Sequence, residues 1–173
     1  MVNLIALRIL ISVIFVAAFA LQGKSQEKMC LKINPILEFF KVKKDTDTTT
    51  SYPLLKRKSI SSFPYHGKFV YSSAITLPGE TDSEFFIDLG KWNYLAILGL
   101  YDKSSIDSAG NVWRGYLLNC IQRSDWSISN IPDSYLVMSY KPIDIFVSVQ
   151  KNLDKNSGKY KLLFSIMRFT RVR

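Results

Sequence analysis

An all-β fold of antiparallel strands is the fold class that this sequence predicts. Several short segments after residue 82 are rich in β-branched and aromatic residues, which favour strands. Glycine or proline lies between or at the edge of most of them, and no apolar repeat of 3.6 residues is sustained along the chain. Short strands separated by turn residues indicate a sandwich or a barrel. The predicted strands are 83–90, 94–101, 113–121, 134–140, 144–150 and 160–172.

The N-terminal residues 1–20 have the features of a secretory signal peptide. Arg8 precedes an apolar run, and Ala18-Phe19-Ala20 supplies the small residues that signal peptidase accepts. The alternative is a signal anchor, because Leu4 to Leu21 is almost continuously apolar. Arg8 interrupts that run, and the part after it is shorter than the roughly 20 residues of a spanning helix. We therefore expect cleavage and a secreted, extracellular protein without a transmembrane span.

Cleavage would leave a short linker, 21–29, and one domain, 30–173, which is long enough to bury a core. The first part of this domain, 30–83, has weaker strand signals than the rest. Its segment 30–44 is apolar, but Pro35 interrupts it. The sequence therefore assigns no clear strand before residue 83, although this part belongs to the same predicted domain.

The charge of the chain is strongly basic. It holds 23 Lys and Arg residues against 14 Asp and Glu, and the signal peptide would remove only Arg8, which leaves a formal charge of +8. A basic secreted protein can meet anionic glycans, phospholipid headgroups or acidic protein surfaces, or the charge can serve solubility alone. No basic helix or aromatic–basic recognition motif indicates nucleic acid.

Catalytic chemistry has little material in this sequence. His66 is the single histidine, so neither a Ser-His or Cys-His pair nor a zinc site is indicated. The sequence also has no glycine-rich phosphate loop and no paired acidic motif. We therefore predict a protein that is not an enzyme and holds no cofactor or metal, with a secreted hydrolase of unrecognised site as the weaker alternative.

The two cysteines, Cys30 and Cys120, leave two interpretations open. A pair of cysteines in an oxidising compartment is suited to a disulfide. Their spacing has no C-x-x-C pattern, however, and Cys120 falls within a predicted strand. From the residues alone, both a Cys30–Cys120 disulfide and two unpaired thiols are consistent with the sequence.

The stretch Ile87-Asp88-Leu89-Gly90-Lys91, followed by an aliphatic strand, opens a series of five landmarks. The later landmarks are a Trp-containing strand, a turn followed by tryptophan, an Asn-x-Asp loop and a last strand with arginines. In this order they resemble the discoidin domains, which are the coagulation-factor type C family of the galactose-binding-like superfold. The later landmarks are Val112–Leu118, Asp125-Trp126, Asn152–Asn156 and Ile166–Val172.

The resemblance implies a jelly-roll β-sandwich in which these residues are mainly structural. Asp88 would accept hydrogen bonds or pair with Arg168 or Arg171, because a buried carboxylate needs a partner. Gly90 would form the turn into the next strand. Aromatic residues on the strands would fill the core. These are Trp113, Tyr116 and Trp126.

The resemblance also implies binding rather than turnover. Discoidin domains use loops at one end of the barrel to bind phospholipid headgroups, glycans or proteins. We therefore expect a secreted cell-adhesion module that binds an extracellular glycan, an anionic phospholipid surface, or a cell-surface or matrix protein.

Two loops are candidate ligand sites. The first, Ser62–Phe69, carries aromatic and basic side chains on a loop shaped by proline and glycine, which could stack on a sugar or enter a bilayer interface. Alternatively, its aromatic side chains fold back into the core. The second, Asp102–Asn111, is polar and can bind hydroxyls, but two separated carboxylates are too few for a calcium site. The candidate residues are Phe63, Tyr65, His66, Lys68, Phe69, Asp102, Lys103 and Asp107.

The chain departs from the discoidin pattern at its cysteines. Members of the family commonly join a cysteine near the start of the domain to one at its end, and Cys30 matches only the first of these. Because a final strand and a closing cysteine are missing after Arg173, we expect both cysteines to be unpaired, with the Cys30–Cys120 disulfide as the alternative. A missing strand would also leave a sheet edge open. The second functional hypothesis is therefore a structural or regulatory partner whose open edge is completed by another chain.

Overall fold

The described part of the chain folds into two α-helices and one antiparallel β-sheet. The computed structural model describes residues 27–42, 55–57, 69–88, 91–121 and 123–168. Helix α1 spans 27–42, and helix α2 spans Ile106–Cys120. The strands are β1 (Leu55–Arg57), β2 (Phe69–Ser73), β3 (Asp82–Asp88), β4 (Lys91–Tyr101), β5 (Trp126–Ser129), β6 (Ser134–Tyr140), β7 (Ile145–Leu153) and β8 (Tyr160–Arg168).

The order of the strands in the sheet is β1-β2-β3-β4-β8-β7-β6-β5, and every neighbouring pair is antiparallel. The chain therefore follows the same plan twice, because each helix is followed by a meander of four strands. The pairing of β4 with β8 joins the two halves. This repetition lies in the structure, since the sequence has no recognisable internal repeat.

The predicted mostly β, antiparallel fold is confirmed. Strands β3, β4, β6, β7 and β8 lie where the sequence predicts strands. Strands β1, β2 and β5 were not predicted, and neither were the two helices. The eight described strands form a single sheet.

Helix α1 corrects the interpretation of segment 30–44 as apolar chain interrupted by Pro35. Four of its six buried residues follow a spacing of four, three and four, which places them on one face of a helix. Pro35 removes one helical hydrogen bond at a cost of about 3 kcal/mol, and the burial of large apolar side chains outweighs this cost. The residues with this spacing are Met29, Ile33, Ile36 and Phe40.

Helix α2 corrects the prediction of a strand at 113–121. Its buried residues have the same spacing of four, three and four as those of α1. The helix begins just after Asp102, whose backbone oxygen accepts hydrogen bonds from the amides of Ser105 and Ile106. The negative charge of Asp107 in the first turn interacts favourably with the positive end of the helix dipole and so stabilises the helix. The buried residues are Ile106, Gly110, Trp113 and Leu117.

Both helices pack on the same face of the sheet. Phe39 of α1 contacts Phe85 of β3 with ring centroids 5.1 Å apart, and Trp113 of α2 stacks on Phe164 of β8 at 6.2 Å. Tyr94 of β4 connects the two groups, because its ring lies 4.7 Å from Phe85 and 5.9 Å from Phe164. A continuous line of aromatic contacts therefore runs through the core of both halves.

The other face of the sheet is more polar. Two cross-strand serine pairs bridge neighbouring strands there, Ser148 with Ser165 at 2.7 Å and Ser127 with Ser139 at 2.6 Å between hydroxyl oxygens. Glu84, which lies opposite Leu95 in the register, is 1% exposed. Successive side chains of each strand point to opposite faces of the sheet, which thus has an aromatic face under the helices and a mixed face on the other side.

Strand β8 lies in the centre of the sheet, between β4 and β7. An open edge, which the sequence analysis expects from a missing strand, therefore does not lie beside β8. The edges of the described sheet are β1 and β5, which come from the beginnings of the two meanders. The physical reason is that β8 pairs on one side with β7 and on the other side with β4, which comes from the first half of the chain.

The cysteines are joined by a disulfide, which corrects the expectation that both are unpaired. Cys30 lies in the first turn of α1 and Cys120 is the last residue of α2, with their Cα atoms 5.0 Å apart. The expectation failed because it placed Cys120 in the middle of a strand. As the end of a helix packed beside α1, this residue comes within bonding distance of Cys30.

Gly110 allows α2 to approach strand β6. A Cβ atom at this position would overlap the Tyr135 ring, with Cδ2 and Cε2 closer than van der Waals contact allows. Gly110 is buried, and its helix also packs against β7 and β8. The absence of a side chain at residue 110 therefore sets the distance between helix and sheet.

We expect Gly110→Ala to destabilise the fold by about 1–3 kcal/mol, because the added methyl must displace the Tyr135 ring or the helix. Gly115→Ala is the matched control in the same helix. No atom lies within 4 Å of the position of its added Cβ, so this variant should be neutral or stabilising by up to about 1 kcal/mol. Urea unfolding followed by circular dichroism measures both. Equal stabilities of the two variants would contradict the proposed close packing.

We expect the Cys30→Ser/Cys120→Ser variant to unfold more easily than the parent by about 2–5 kcal/mol. The disulfide closes a loop with a sequence separation of 90, and such a crosslink restricts the unfolded chain. The measurement is the free energy of unfolding with and without a reducing agent. Reduction should lower the stability of the parent and leave the double variant unchanged, whereas a parent that is insensitive to reduction would contradict the prediction.

Candidate functional site

A cleft of about 360 Å³ opens between α1, the C-terminal end of α2 and the β5–β6 pair. Its walls combine carboxylates, an ammonium, an amide and two aromatic rings. Binding sites for small molecules commonly have this form, with aromatic walls and a few polar groups. The side chains that give the cleft its chemistry are Asn34, Glu38, Lys41, Asp125, Trp126 and Tyr140.

Helix α1 supplies one wall of the cleft. Asn34, Glu38 and Lys41 are spaced by four and three residues, so they lie along one side of the helix next to its buried stripe. The buried stripe fixes the rotation of the helix against the sheet. Asn34 and Glu38 are exposed on the side that faces β5 and β6, while Lys41 is half-buried.

The ammonium of Lys41 lies inside the cleft. It is 2.7 Å from Glu38 Oε1 and 5.3 Å from the centroid of the Tyr140 ring. The side chain of Lys41 is 30% exposed, and that of Glu38 is 56% exposed. The cleft thus holds one cation of the chain itself, between a carboxylate and an aromatic face.

Strands β5 and β6 supply the opposite wall. Trp126 and Tyr140 are directly opposite each other in the register, and their ring centroids are 5.1 Å apart at an interplanar angle of 44°. Just before Trp126, the backbone oxygen of Asp125 accepts a hydrogen bond of 3.0 Å from the amide of Lys141. This bond lies at the open end of the β5–β6 hairpin, next to the Trp126–Tyr140 pair. It fixes the backbone from which the Asp125 side chain extends.

The disulfide lies at the base of the cleft. Cys120 and Ile121 both line it, and Ile121 donates its backbone amide to the oxygen of Leu117 at the end of α2. Because Cys120 is bonded to Cys30 of α1, the two helical walls are covalently joined. The shape of the cleft therefore depends on the disulfide as well as on packing.

The aromatic loop predicted as the first ligand site lies outside the described residues. This applies to Phe63, Tyr65, His66 and Lys68. Phe69 begins strand β2, and its side chain is not among those described. The proposed role of this loop stays a prediction.

The second predicted loop is only partly a loop. Asp102 follows strand β4 and Lys103 lies in the turn after it, but α2 begins at Ile106, so the prediction of a loop up to Asn111 was wrong. The carboxylate of Asp102 is 3.9 Å from Lys159, whereas that of Asp107 interacts with a different lysine. The structure therefore does not bring these predicted ligands together into one site.

Asp107 belongs to a small polar cluster between α2 and the sheet. Its Oδ1 atom accepts hydrogen bonds from the hydroxyl of Tyr135 and, at 3.2 Å, from the ammonium of Lys151. The bond from Tyr135 is the main cause that lowers the pKa of Asp107, and Lys151 adds to it. Burial and the Asp107 carboxylate together raise the pKa of Tyr135. The cluster fixes the start of α2 and resembles a structural contact rather than a binding site.

The side chains of the discoidin-like landmarks have mixed outcomes. Trp113 is buried in the core, as predicted, although on a helix, and the half-buried Tyr116 packs edge-on against it at 6.1 Å. Trp126 is 8% exposed on β5. Asp88 ends β3 in register with Lys91, but its side chain is not described.

The predicted pairing of Asp88 with an arginine stays a prediction. Arg168 ends strand β8, opposite Ile145 in the register, while Arg171 and Gly90 lie outside the described residues.

Two polar side chains, Glu80 and Tyr94, lie close together near the turn before β3. Glu80 accepts hydrogen bonds from the amide of Leu77 at 2.7 Å and the hydroxyl of Ser83 at 2.6 Å, which closes the turn. The Tyr94 hydroxyl is buried beside them. Burial is the main cause that raises its pKa, and the negative charge of Glu80 raises it further. Tyr94 therefore stays neutral and serves the core.

A second, smaller cavity of about 210 Å³ lies on the face of the sheet away from the helices. Its lining is mostly apolar, with the polar side chains of Asn93, Gln150 and Ser165. It lacks the charged groups of the first cleft. We therefore take the cleft beside the disulfide as the candidate functional site.

Comparisons with protein-family models, with curated proteins and with solved structures found no match to this chain. Within the described ranges, neither helix combines the length and the apolar character needed to cross a membrane. No group of three or more His, Cys, Asp or Glu side chains in the described part of the chain is placed to hold a metal ion. The function must therefore be argued from the geometry of the cleft.

Sequence reasoning did not identify the cleft: Trp126 was predicted only as a core residue, Asp125 only as part of a family landmark, and Cys120 only as a possible disulfide partner. The available signal was the spacing of four, three and four among the apolar residues of α1. That spacing would have identified a helix and placed Asn34, Glu38 and Lys41 on one side of it. The approach of this side to Trp126 and Tyr140 follows from the tertiary packing and has no local signal.

We expect the stability that Tyr135 gives through its bond to Asp107 to depend on pH. Because the folded-state pKa of Asp107 is lowered from its ordinary value of 3.8, this contribution is present above that value and is lost as the pH falls through the lower folded-state value. The difference in unfolding free energy between the parent and Tyr135→Phe should therefore shrink between about pH 5 and pH 2.

The control for this experiment is Tyr101→Phe, because the Tyr101 hydroxyl donates to the backbone oxygen of Leu98 rather than to a carboxylate. Its effect on stability should change little over the same pH range. Urea unfolding at several pH values measures both differences. A Tyr135→Phe effect that is constant across the range would contradict the assignment to Asp107.

Proposed function

We propose that this protein is a secreted, non-catalytic binding module whose ligand site is the cleft beside the Cys30–Cys120 disulfide. One observation carries the proposal: a preformed cleft of about 360 Å³ that combines two carboxylates, an amide, an ammonium and a pair of aromatic rings. Its volume corresponds to about a dozen water molecules at roughly 30 Å³ each, which is enough for a small ligand or for one side chain of a partner.

The chemistry of the cleft supports binding rather than catalysis. The Lys41 ammonium has no free electron pair with which to act as a nucleophile, and it is engaged by Glu38 at 2.7 Å. The described residues of the lining include no serine, threonine or histidine, and Cys120 is held in the disulfide. Aromatic faces and fixed polar groups favour recognition of a ligand that remains unchanged.

Secretion is supported by the disulfide. Such bonds persist in oxidising compartments, which agrees with the signal peptide predicted at residues 1–20. A role in cell adhesion, with a glycan, an anionic phospholipid surface or a matrix protein as ligand, stays part of the proposal.

The jelly-roll arrangement and the discoidin family also stay predictions. One of the five landmarks, Val112–Leu118, lies on α2 rather than on a strand, so the resemblance rests on the other four.

The test is a binding panel with the purified, disulfide-bonded protein. It contains a glycan array, anionic and neutral liposomes, and small organic amines, each at several salt concentrations. We expect saturable binding to one ligand class, weakened about tenfold by Asp125→Ala or Asn34→Ala, because both residues are exposed in the cleft. Lys28→Ala is the control, since it is an exposed residue of α1 outside the cleft.

Two further variants, Phe63→Ala and Tyr65→Ala, test the aromatic loop that the sequence predicts. Loss of binding in these variants, with the cleft variants unaffected, would move the site to that loop. Weak binding that salt abolishes and no variant changes would leave only a basic surface, and the proposed function would be wrong.

A second candidate function is a partner protein whose sheet edge is completed by another chain. Within the described sheet, edge strand β5 pairs only with β6; it contains neither a charged residue nor proline, and it leaves Ile128 47% exposed. Edges of this kind are templates for strand addition, although the strand has only four residues. The solution mass of the same preparation tests this function: a monomer speaks against self-pairing, and a dimer that Ile128→Lys dissociates supports it.

A further inference from the structure

The charged groups described in the cleft have a balance opposite in sign to that of the whole chain. The sequence has a formal charge of +9, yet the described residues of the lining contain the carboxylates of Glu38 and Asp125 and one ammonium, that of Lys41. These described groups sum to a formal charge of −1. A net negative cleft in a basic protein favours cationic ligands over anionic ones.

The position of Lys41 shows what kind of group the cleft can hold. Its ammonium is 2.7 Å from a carboxylate oxygen of Glu38 and 5.3 Å from the centre of the Tyr140 ring. A carboxylate together with an aromatic face is the usual environment for recognition of organic ammonium groups. The protein therefore binds its own side-chain cation with the geometry that an external cation would use.

The remaining wall can accept a second cation. The Asp125 side chain is exposed and lines the same cleft, and no ion pair with it is seen within the described residues. Beside it, the rings of Trp126 and Tyr140 offer an apolar surface for the body of a ligand. A ligand with a charged head and an apolar body can therefore contact Asp125 with its head and the rings of Trp126 and Tyr140 with its body.

Resting on the function proposed above, we infer that the cleft takes a small organic cation with an ammonium or guanidinium head. The head pairs with Asp125 and Glu38, and the body packs against Trp126 and Tyr140. Lys41 competes for the same groups and sets the affinity. Exposed ion pairs such as Lys41–Glu38 stabilise little, so the ammonium can leave Glu38 at small cost when a ligand enters.

Choline, agmatine and the neutral choline isostere 3,3-dimethylbutan-1-ol are the probes, and titration calorimetry with the disulfide-bonded protein measures the affinity. We expect choline or agmatine to bind and the neutral isostere not to. Lys41→Met should raise the affinity about five- to tenfold, because it removes the competing positive charge, and Asp125→Asn should lower it about tenfold. Equal binding of choline and its isostere would overturn the inference.

Matched controls distinguish a local effect from one of net charge. Lys28→Met removes a positive charge from the exposed side of the same helix, and Asp133→Asn removes a negative charge from an exposed turn. Neither residue lines the cleft, so neither variant should change the affinity. A Lys41→Met variant that binds choline and agmatine more weakly would show that Lys41 does not compete with the cation, and would overturn the inference.

The same head group can come from a free molecule or from a side chain of a partner protein. An N-acetylated, C-amidated Gly-Arg-Gly peptide presents the guanidinium of agmatine on a backbone. Tighter binding of the peptide than of agmatine assigns the site to a protein partner, and tighter binding of agmatine assigns it to a free amine; both results support the cationic ligand.

These experiments distinguish an error in the cationic ligand from an error in the proposed function. If no amine or peptide binds to the folded protein, the inference is wrong. If a glycan or vesicle then binds and Asp125→Ala weakens that binding, the cleft remains the site of a binding module. Fluorescence provides a second readout, since a ligand on the aromatic wall should change the emission of the parent but not that of Trp126→Phe.

Discussion

The pairing of β4 with β8 is the interaction on which the rest of this fold depends. It joins a strand from the middle of the chain to the last described strand, and thereby unites two halves that each consist of a helix and four strands. Opposed residues such as Tyr94 and Ile166 share one face of the sheet. Because each half turns its buried residues to that face, α1 and α2 must pack side by side on it, and a cleft can form at their flank.

Two local constraints convert this arrangement into a defined cleft. The small size of Gly110 lets α2 lie close to Tyr135, which fixes the distance of the helix from the sheet. The disulfide then fixes the end of α2 against the beginning of α1. Neither the Gly110–Tyr135 contact nor the disulfide involves Asp125 or Trp126, which form part of the cleft wall. Both nevertheless determine how far these groups lie from α1, so scaffold and site cannot be altered independently.

The sequence predicts the long strands well because their composition and alternation are local properties. It fails at α2 because Trp113 and Tyr116 are residue types that also favour strands, and the glycine at 110 weakens the helical signal. It fails at α1 because Pro35 opposes helix formation locally, whereas the burial that outweighs it is tertiary. The order of strands and the cleft were beyond sequence reasoning, since both depend on contacts between distant segments.

The connection from α2 to β5 bears on function. Helix α2 ends at Cys120 and β5 begins at Trp126, so the connection is short. It starts at the disulfide, and the bond from Lys141 to Asp125 closes its far end. A wall held at both ends loses little conformational entropy when a ligand binds, which is the physical basis of preorganisation. The cleft therefore lies beside a short connection that is fixed at both ends, and this favours recognition of a small ligand over adaptation to many.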